Sequence, residues 1–70
     1  MDEILKRFGR RVRELRLRKG INSQIDLANK TGLDRTYIGG VERGERNIGL
    51  KNVEKIANAL NISLEELFRF

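Results

Sequence analysis

Gln24-Ile25-Asp26-Leu27-Ala28-Asn29-Lys30-Thr31-Gly32-Leu33-Asp34-Arg35-Thr36-Tyr37-Ile38-Gly39-Gly40-Val41-Glu42-Arg43 is the stretch of the 70-residue chain that decides its fold. Two short helices are predicted in it, joined by a turn at Thr31-Gly32-Leu33-Asp34. Gly32 can take the positive φ that a sharp turn demands. Ala28 is small enough to let the two helices cross closely, and Leu27, Leu33, Ile38 and Val41 point inward and lock the crossing. Ser23 opens the first helix, with Asp26 three residues on, in the pattern of a capping box with Asp in place of Glu. Asp34 is a good N-cap for the second, expected to run from Arg35 to about Arg43 and to end at Gly44. Helical hairpins with a glycine turn also occur in bundles that bind nothing, so the flanking sequence decides what this one is for.

Upstream, Leu5, Phe8, Val12 and Leu15 step by three and four and share one helix face. Gly20 is a natural stop, with Arg18 and Lys19 favourable at the negative end of the helix dipole. Leu17 falls on the polar side, a lone exposed apolar residue. Downstream, Glu45 to Gly49 reads as a polar loop. Leu50, Val53, Ile56, Ala57 and Leu60 then form another helical stripe. Ser63 caps a last short helix, with Glu66 completing a capping box and Leu64, Leu67, Phe68 and Phe70 as its apolar residues. No stretch alternates with period two. The fold class is therefore all-α: five helices joined by short loops in one domain over residues 1–70, with its informative core at about 24–43.

Composition narrows the function. Fifteen Lys and Arg stand against ten Asp and Glu, for a net charge of +5, with no Cys, His, Pro or Trp. Without Cys or His there is no zinc finger, disulfide framework, thiol or imidazole catalysis, or haem ligation. No cofactor or metal is expected. No apolar run approaches the roughly 20 residues of a membrane span. The acidic start, Met1-Asp2-Glu3, lacks a signal peptide's apolar core, so a soluble cytoplasmic protein is expected. The basic excess favours a polyanion partner. It is uneven: Lys6, Arg7, Arg10, Arg11, Arg13, Arg16, Arg18 and Lys19 crowd one segment with Glu14 as the only acid, whereas Lys51 to Phe70 is neutral. That cluster reads either as a solvated helix face or as a field that steers association.

The central segment with its flanks describes a helix-turn-helix. From about Phe8 to Phe68 the chain resembles the Cro/lambda-repressor-like helix-turn-helix family, also called the xenobiotic-response-element family. The residues that carry the resemblance are Arg13-Glu14-Leu15-Arg16, Lys19-Gly20, Ser23-Gln24, Leu27-Ala28, Gly32-Leu33, Val41-Glu42-Arg43-Gly44, Ile56-Ala57-Asn58-Ala59-Leu60 and Ile62-Ser63. Leu33-Asp34-Arg35-Thr36-Tyr37-Ile38 and Glu42-Arg43-Gly44-Glu45-Arg46-Asn47-Ile48 look most like the small controller proteins of restriction-modification systems. Two departures stand out. Ile21-Asn22 makes the first loop one residue longer than the family spacing. Ile48-Gly49 lacks the common proline and offers Gly where a hydroxyl cap is usual.

The resemblance implies a compact lambda-repressor-like bundle that regulates transcription by binding a double-stranded DNA operator, in a bacterial cytoplasm or beside a phage or bacterial nucleoid. Its third helix is then the recognition helix, entering the major groove by its N-terminal end. Arg35 is placed to take guanine O6 and N7, and Thr36 a base edge or a thymine methyl. A third base-reading position falls on Gly40. There the Gly39-Gly40 pair either admits the DNA backbone closely or marks little direct readout. Arg43 is a base reader or a phosphate contact. Ser23 and Gln24 sit at a helix start suited to a phosphate. Tyr37, Arg46 and Asn47 are phosphate contacts, Tyr37 with packing on the domain as its alternative. Arg16 and Glu42 match a partly buried structural ion pair.

Two or three base-reading side chains give weak discrimination, so a homodimer on a pseudo-palindrome is expected. Its interface is assigned to Ile62, Leu64, Phe68 and Phe70. The alternative is that Leu64 and Phe68 fold back into the core. With no ligand-sensing module expected, and no small-molecule ligand, occupancy follows protein concentration. The rival functions are a phage-type repressor and an antitoxin-like module that works through protein contacts. An enzyme is poorly supported: Glu65-Glu66, the nearest carboxylate pair, lies at a helix start where capping explains it. Aromatic platforms for stacking RNA bases are missing.

Overall fold

A computed structural model describes residues 3–70. Helix α1 spans Glu3–Arg18, α2 Gln24–Thr31, α3 Arg35–Glu42, α4 Leu50–Leu60 and α5 Leu64–Leu67, and no strand occurs among the described residues. All five expected helices are present in the expected order; α3 stops one residue early, with Arg43 as its C-cap. No helix among the described residues is long and apolar enough to cross a membrane.

Local chemistry sets the helix ends. Ser23 Oγ accepts the Asp26 N–H at 3.0 Å, and Asp34 Oδ1 accepts the Thr36 N–H at 2.7 Å. Gly32 closes α2 at φ +76°, a left-handed conformation that costs a residue with a Cβ dearly. Gly49 caps α4 with no side-chain bond, as the missing hydroxyl implied. The capping box at α5 is half made: Ser63 Oγ accepts the Glu66 N–H, but the Glu66 carboxylate turns instead to Arg11 and Arg69.

Phe8, Val12 and Leu15 of α1, Leu27 and Ala28 of α2, Ile38 and Val41 of α3, Val53, Ile56, Ala57 and Leu60 of α4, and Leu67 of α5 form one buried core. Ile21 joins it from the α1–α2 loop. Several apolar positions do not follow the helical stripes. Leu50, the first residue of α4, is 85% exposed. Leu5 and Leu33 are half-buried at the rim, and Ile25 is exposed.

The basic cluster on α1 is not only a surface field. Arg11 is buried, 7% exposed, and docks α5: Nη2 donates to the Glu66 carbonyl at 2.8 Å and to Glu66 Oε2 at 3.1 Å, while Nη1 donates to Glu14 Oε1 at 3.1 Å. Arg7 holds the last residue, donating to the Phe70 carbonyl at 3.2 Å with its guanidinium 5.1 Å from the Phe70 ring centroid.

Gly9 supplies a close approach that the hydrophobic pattern does not reveal. A Cβ there would run into the Val41 and Glu42 carbonyl oxygens of α3, and backbone cannot swing aside as a side chain can. The α1–α3 spacing, and with it the tilt of α3, depends on this missing methyl. Gly9→Ala is expected to destabilise the domain by about 3 kcal/mol through overpacking, read as a lower urea midpoint with an unchanged slope.

Candidate nucleic-acid interface

The exposed end of α3 is its start. Arg35 and Thr36 are both solvent-exposed there, and Arg35 has no acid at ion-pair distance among the described residues. The cap beneath them is charged. The Thr36 backbone N–H, with help from the Thr36 hydroxyl, holds the Asp34 carboxyl below its ordinary value. An anionic cap satisfies the positive end of the α3 dipole. The α2 cap, Ser23, is neutral, and the Gln24 and Ile25 amides lie ahead of the first helical bond, Leu27 N–H to Ser23 carbonyl. The two helix starts therefore differ: α2 retains capacity for an anion, α3 much less.

A buried charge network fixes α3 against α1 and α2. Arg16 Nε donates to Glu42 Oε2 at 2.7 Å and Nη2 to Glu42 Oε1 at 3.2 Å, a forked contact between side chains only 5% and 2% exposed. Arg16 Nη1 donates to the Ile21 carbonyl at 2.9 Å, so the α1–α2 loop supplies a ligand to the ion pair. Gln24 Nε2 donates to Glu42 Oε1 at 3.0 Å. The expected structural pair is present. The Gln24 side chain serves this network, and its backbone amide stays at the exposed start of α2.

Arg13, Ser23, Gln24, Ile25, Arg35, Thr36, Gly39 and Arg43 line one open cleft of about 770 Å³ between α1, the start of α2 and the outer face of α3, with Arg16 and Glu42 also on its wall. Arg43 Nε donates to Glu45 Oε1 at 3.0 Å, both side chains about half exposed. A pair that exposed contributes little and exchanges readily for another anion. Sequence reasoning left Arg13 inside the general basic field; only the tertiary arrangement sets it in this cleft.

The remaining candidates lie outside the cleft, on the flank toward the α3–α4 loop. Tyr37 packs half-buried on the core, and its hydroxyl accepts from Asn52 Nδ2 at 3.1 Å while keeping its own proton to donate. The Arg46 guanidinium sits 5.4 Å from the Tyr37 ring centroid, a cation–π contact. Gly40 is not an open position: it is buried, and a Cβ there would lie 2.8 Å from Arg46 Cγ. A Cβ on Gly39 would crowd Gln24 Oε1 at 2.9 Å and Arg43 Nη1 at 3.0 Å. The glycine pair makes room for these three side chains. Asn47 is exposed in the loop.

At the far end of the molecule, Leu64, Phe68 and Phe70 keep roughly half their surface exposed, and Leu67 is the α5 residue that enters the core. Phe68 does not fold inside; its ring lies 5.3 Å from Phe8 and 6.1 Å from Phe70 by centroid. Ile62 is half-buried against the core, so it offers an interface less than the other three. Among the described residues no group of His, Cys, Asp or Glu is placed to hold a metal ion.

The helix-turn-helix family profile matches residues 12–67. The C.MunI control protein of a Mycoplasma species is 46% identical over 68 residues, covering 97% of this chain and 92% of that one. The crystal structure of the restriction-modification controller protein C.AhdI from Aeromonas hydrophila superposes with a TM-score of 0.91 at 55% identity, over 96% of this chain and all of that one. C.Esp1396I bound to a 25 base pair operator site gives a TM-score of 0.87 at 40% identity, over 97% and 88% of the two chains.

Removing one member of the buried pair strands the other. Arg16→Met is expected to cost about 3–5 kcal/mol in urea denaturation, and the double change Arg16→Met with Glu42→Leu far less. The Asp34 cap gives a pH signature. Because its folded value is depressed, its contribution is complete above the ordinary Asp value of 3.8 and is lost as pH falls through the lower folded value. The gap in Tm between wild type and Asp34→Ala should hold from neutral pH down to about 3.8 and close as pH falls from there through the lower folded value.

Proposed function

The chain belongs to the helix-turn-helix family of transcription regulators, among the restriction-modification controller proteins, and on that premise we propose that it binds a pseudo-palindromic DNA operator as a homodimer. It is a regulator, not an enzyme. The observation that carries the proposal is the start of α3, where Arg35 and Thr36 stand exposed at the mouth of a cationic cleft.

Helix α3 enters the major groove by that end. Arg35 takes guanine O6 and N7 through its planar fork, and Thr36 reads the neighbouring base edge. The different caps sort the contacts. The Asp34 carboxylate repels phosphate from the start of α3, whereas the neutral Ser23 cap leaves the Gln24 amide at the start of α2 free to receive one. Arg43 leaves Glu45 for the DNA, and the Tyr37 hydroxyl with Arg46 and Asn47 meets the backbone beyond α3. These contacts set register without reading sequence. The second subunit is joined through Leu64, Phe68 and Phe70, with Ile62 at the edge. The operator complex of C.Esp1396I supports the same mode for this chain. Dimerisation makes occupancy depend steeply on concentration, which suits a regulator of restriction and modification genes acting in the cytoplasm without a small-molecule signal.

Arg35→Ala is expected to lower affinity for a duplex selected from a random library by about 1–3 kcal/mol relative to random-sequence DNA at the same salt. Equal losses on both duplexes would remove Arg35 from base reading.

A further inference from the structure

Helix α1 carries six arginines, and five of them have partners within the molecule. Arg7 is bound to the Phe70 carbonyl and ring, Arg10 lies 3.8 Å from Glu3, Arg11 is bound to Glu14 and Glu66, Arg16 to Glu42, and Arg18 to Glu14 at 2.8 Å. Arg13 alone among them has no acid at ion-pair distance and no side-chain hydrogen bond among the described residues, and it alone is exposed in the cleft beside Arg35 and Thr36. The other cations of the cleft are committed or half-committed: Arg16 is neutralised by Glu42 and Arg43 is shared with Glu45. Arg13 and Arg35 are its two uncompensated charges.

We propose that Arg13 is a second-wall phosphate anchor, holding the DNA strand that borders the groove occupied by α3; this rests on the DNA-binding reading above. The geometry selects phosphate over base. An α-helix with its side chains is about 10–12 Å across and fills a major groove about 12 Å wide. With α3 in the groove, a side chain from the α1 wall meets the rim, where the phosphates lie, and not the base edges on the floor. Arg13 sits one helical turn before Arg16, on the same face of α1. The buried bond from Arg16 to α3 therefore sets the distance from Arg13 to the recognition helix. The guanidinium fork matches two phosphate oxygens. The contact completes a clamp with the Ser23-Gln24 start of α2 on the same cleft.

The test compares wild type, Arg13→Gln, Arg13→Lys and Lys55→Gln, the last removing one exposed charge from α4 outside the cleft. Among the described residues Arg13 and Lys55 have no ion-pair or side-chain hydrogen-bond partners to lose, so equal Tm values verify that all four fold. Affinity is measured from about 50 to 200 mM salt on a library-selected duplex and on a random one. Arg13→Gln should weaken both duplexes about tenfold and lower the salt slope by about one, leaving their ratio unchanged. Arg13→Lys should restore most of the slope. The assignment is overturned if Arg13→Gln matches wild type, if it matches Lys55→Gln, or if only the selected duplex is affected. Wild type that binds neither duplex overturns the DNA reading itself and the anchor with it.

Discussion

The arrangement of this molecule turns on one buried contact, the forked ion pair between Arg16 of α1 and Glu42 of α3. Taking two charges out of water is costly, and their mutual attraction offsets that cost only when geometry is good and the remaining polar atoms are satisfied. Here the Ile21 carbonyl and the Gln24 amide complete the shell, so loop, α1, α2 and α3 all converge on the same point. A greasy isostere would serve stability as well. Its bonds are directional, and they tie α3 to α1, to the first loop and to the start of α2 at one point. Gly9 lets the backbones of α1 and α3 come close enough for the pair to form.

That orientation assigns the charge its uses. The net charge of +5 is a mixture of unlike contributions. Arg16 locks α3. Arg7 and Arg11 secure the C-terminal segment, which carries the exposed Leu64, Phe68 and Phe70. Arg35 and Arg13 are left facing one open cleft. A single cationic helix thus braces α3, braces the candidate dimer face, and contributes a wall to the open cleft.

The parts legible in the sequence were those that neighbouring residues determine. The Ser23, Asp34 and Ser63 caps, the Gly32 turn and the five helices follow from local hydrogen bonding and periodicity. The Arg16–Glu42 pair was legible through family resemblance. The rest depends on what lies across the fold. The Gln24 side chain has no legible role until Glu42 is known to sit beside it. Arg11 reads as surface charge until α5 folds over it. Gly9 and the Gly39-Gly40 pair look like flaws in helices until their neighbours are in place. Leu50 follows the apolar stripe, but it is left exposed at the start of α4. A free cation such as Arg13 has no sequence signature at all; it is found only after every other arginine on its helix has been paired.

One recognition helix reads too few bases to mark a site in a genome, so two copies must act together, and the operator must repeat accordingly. Selection of bound duplexes from a random library, followed by footprinting of the winners, tests this directly. Two inverted half-sites should emerge, with centres about one helical turn apart, protected on one face of the duplex. A single unrepeated half-site, or no enrichment over random DNA, would contradict the account.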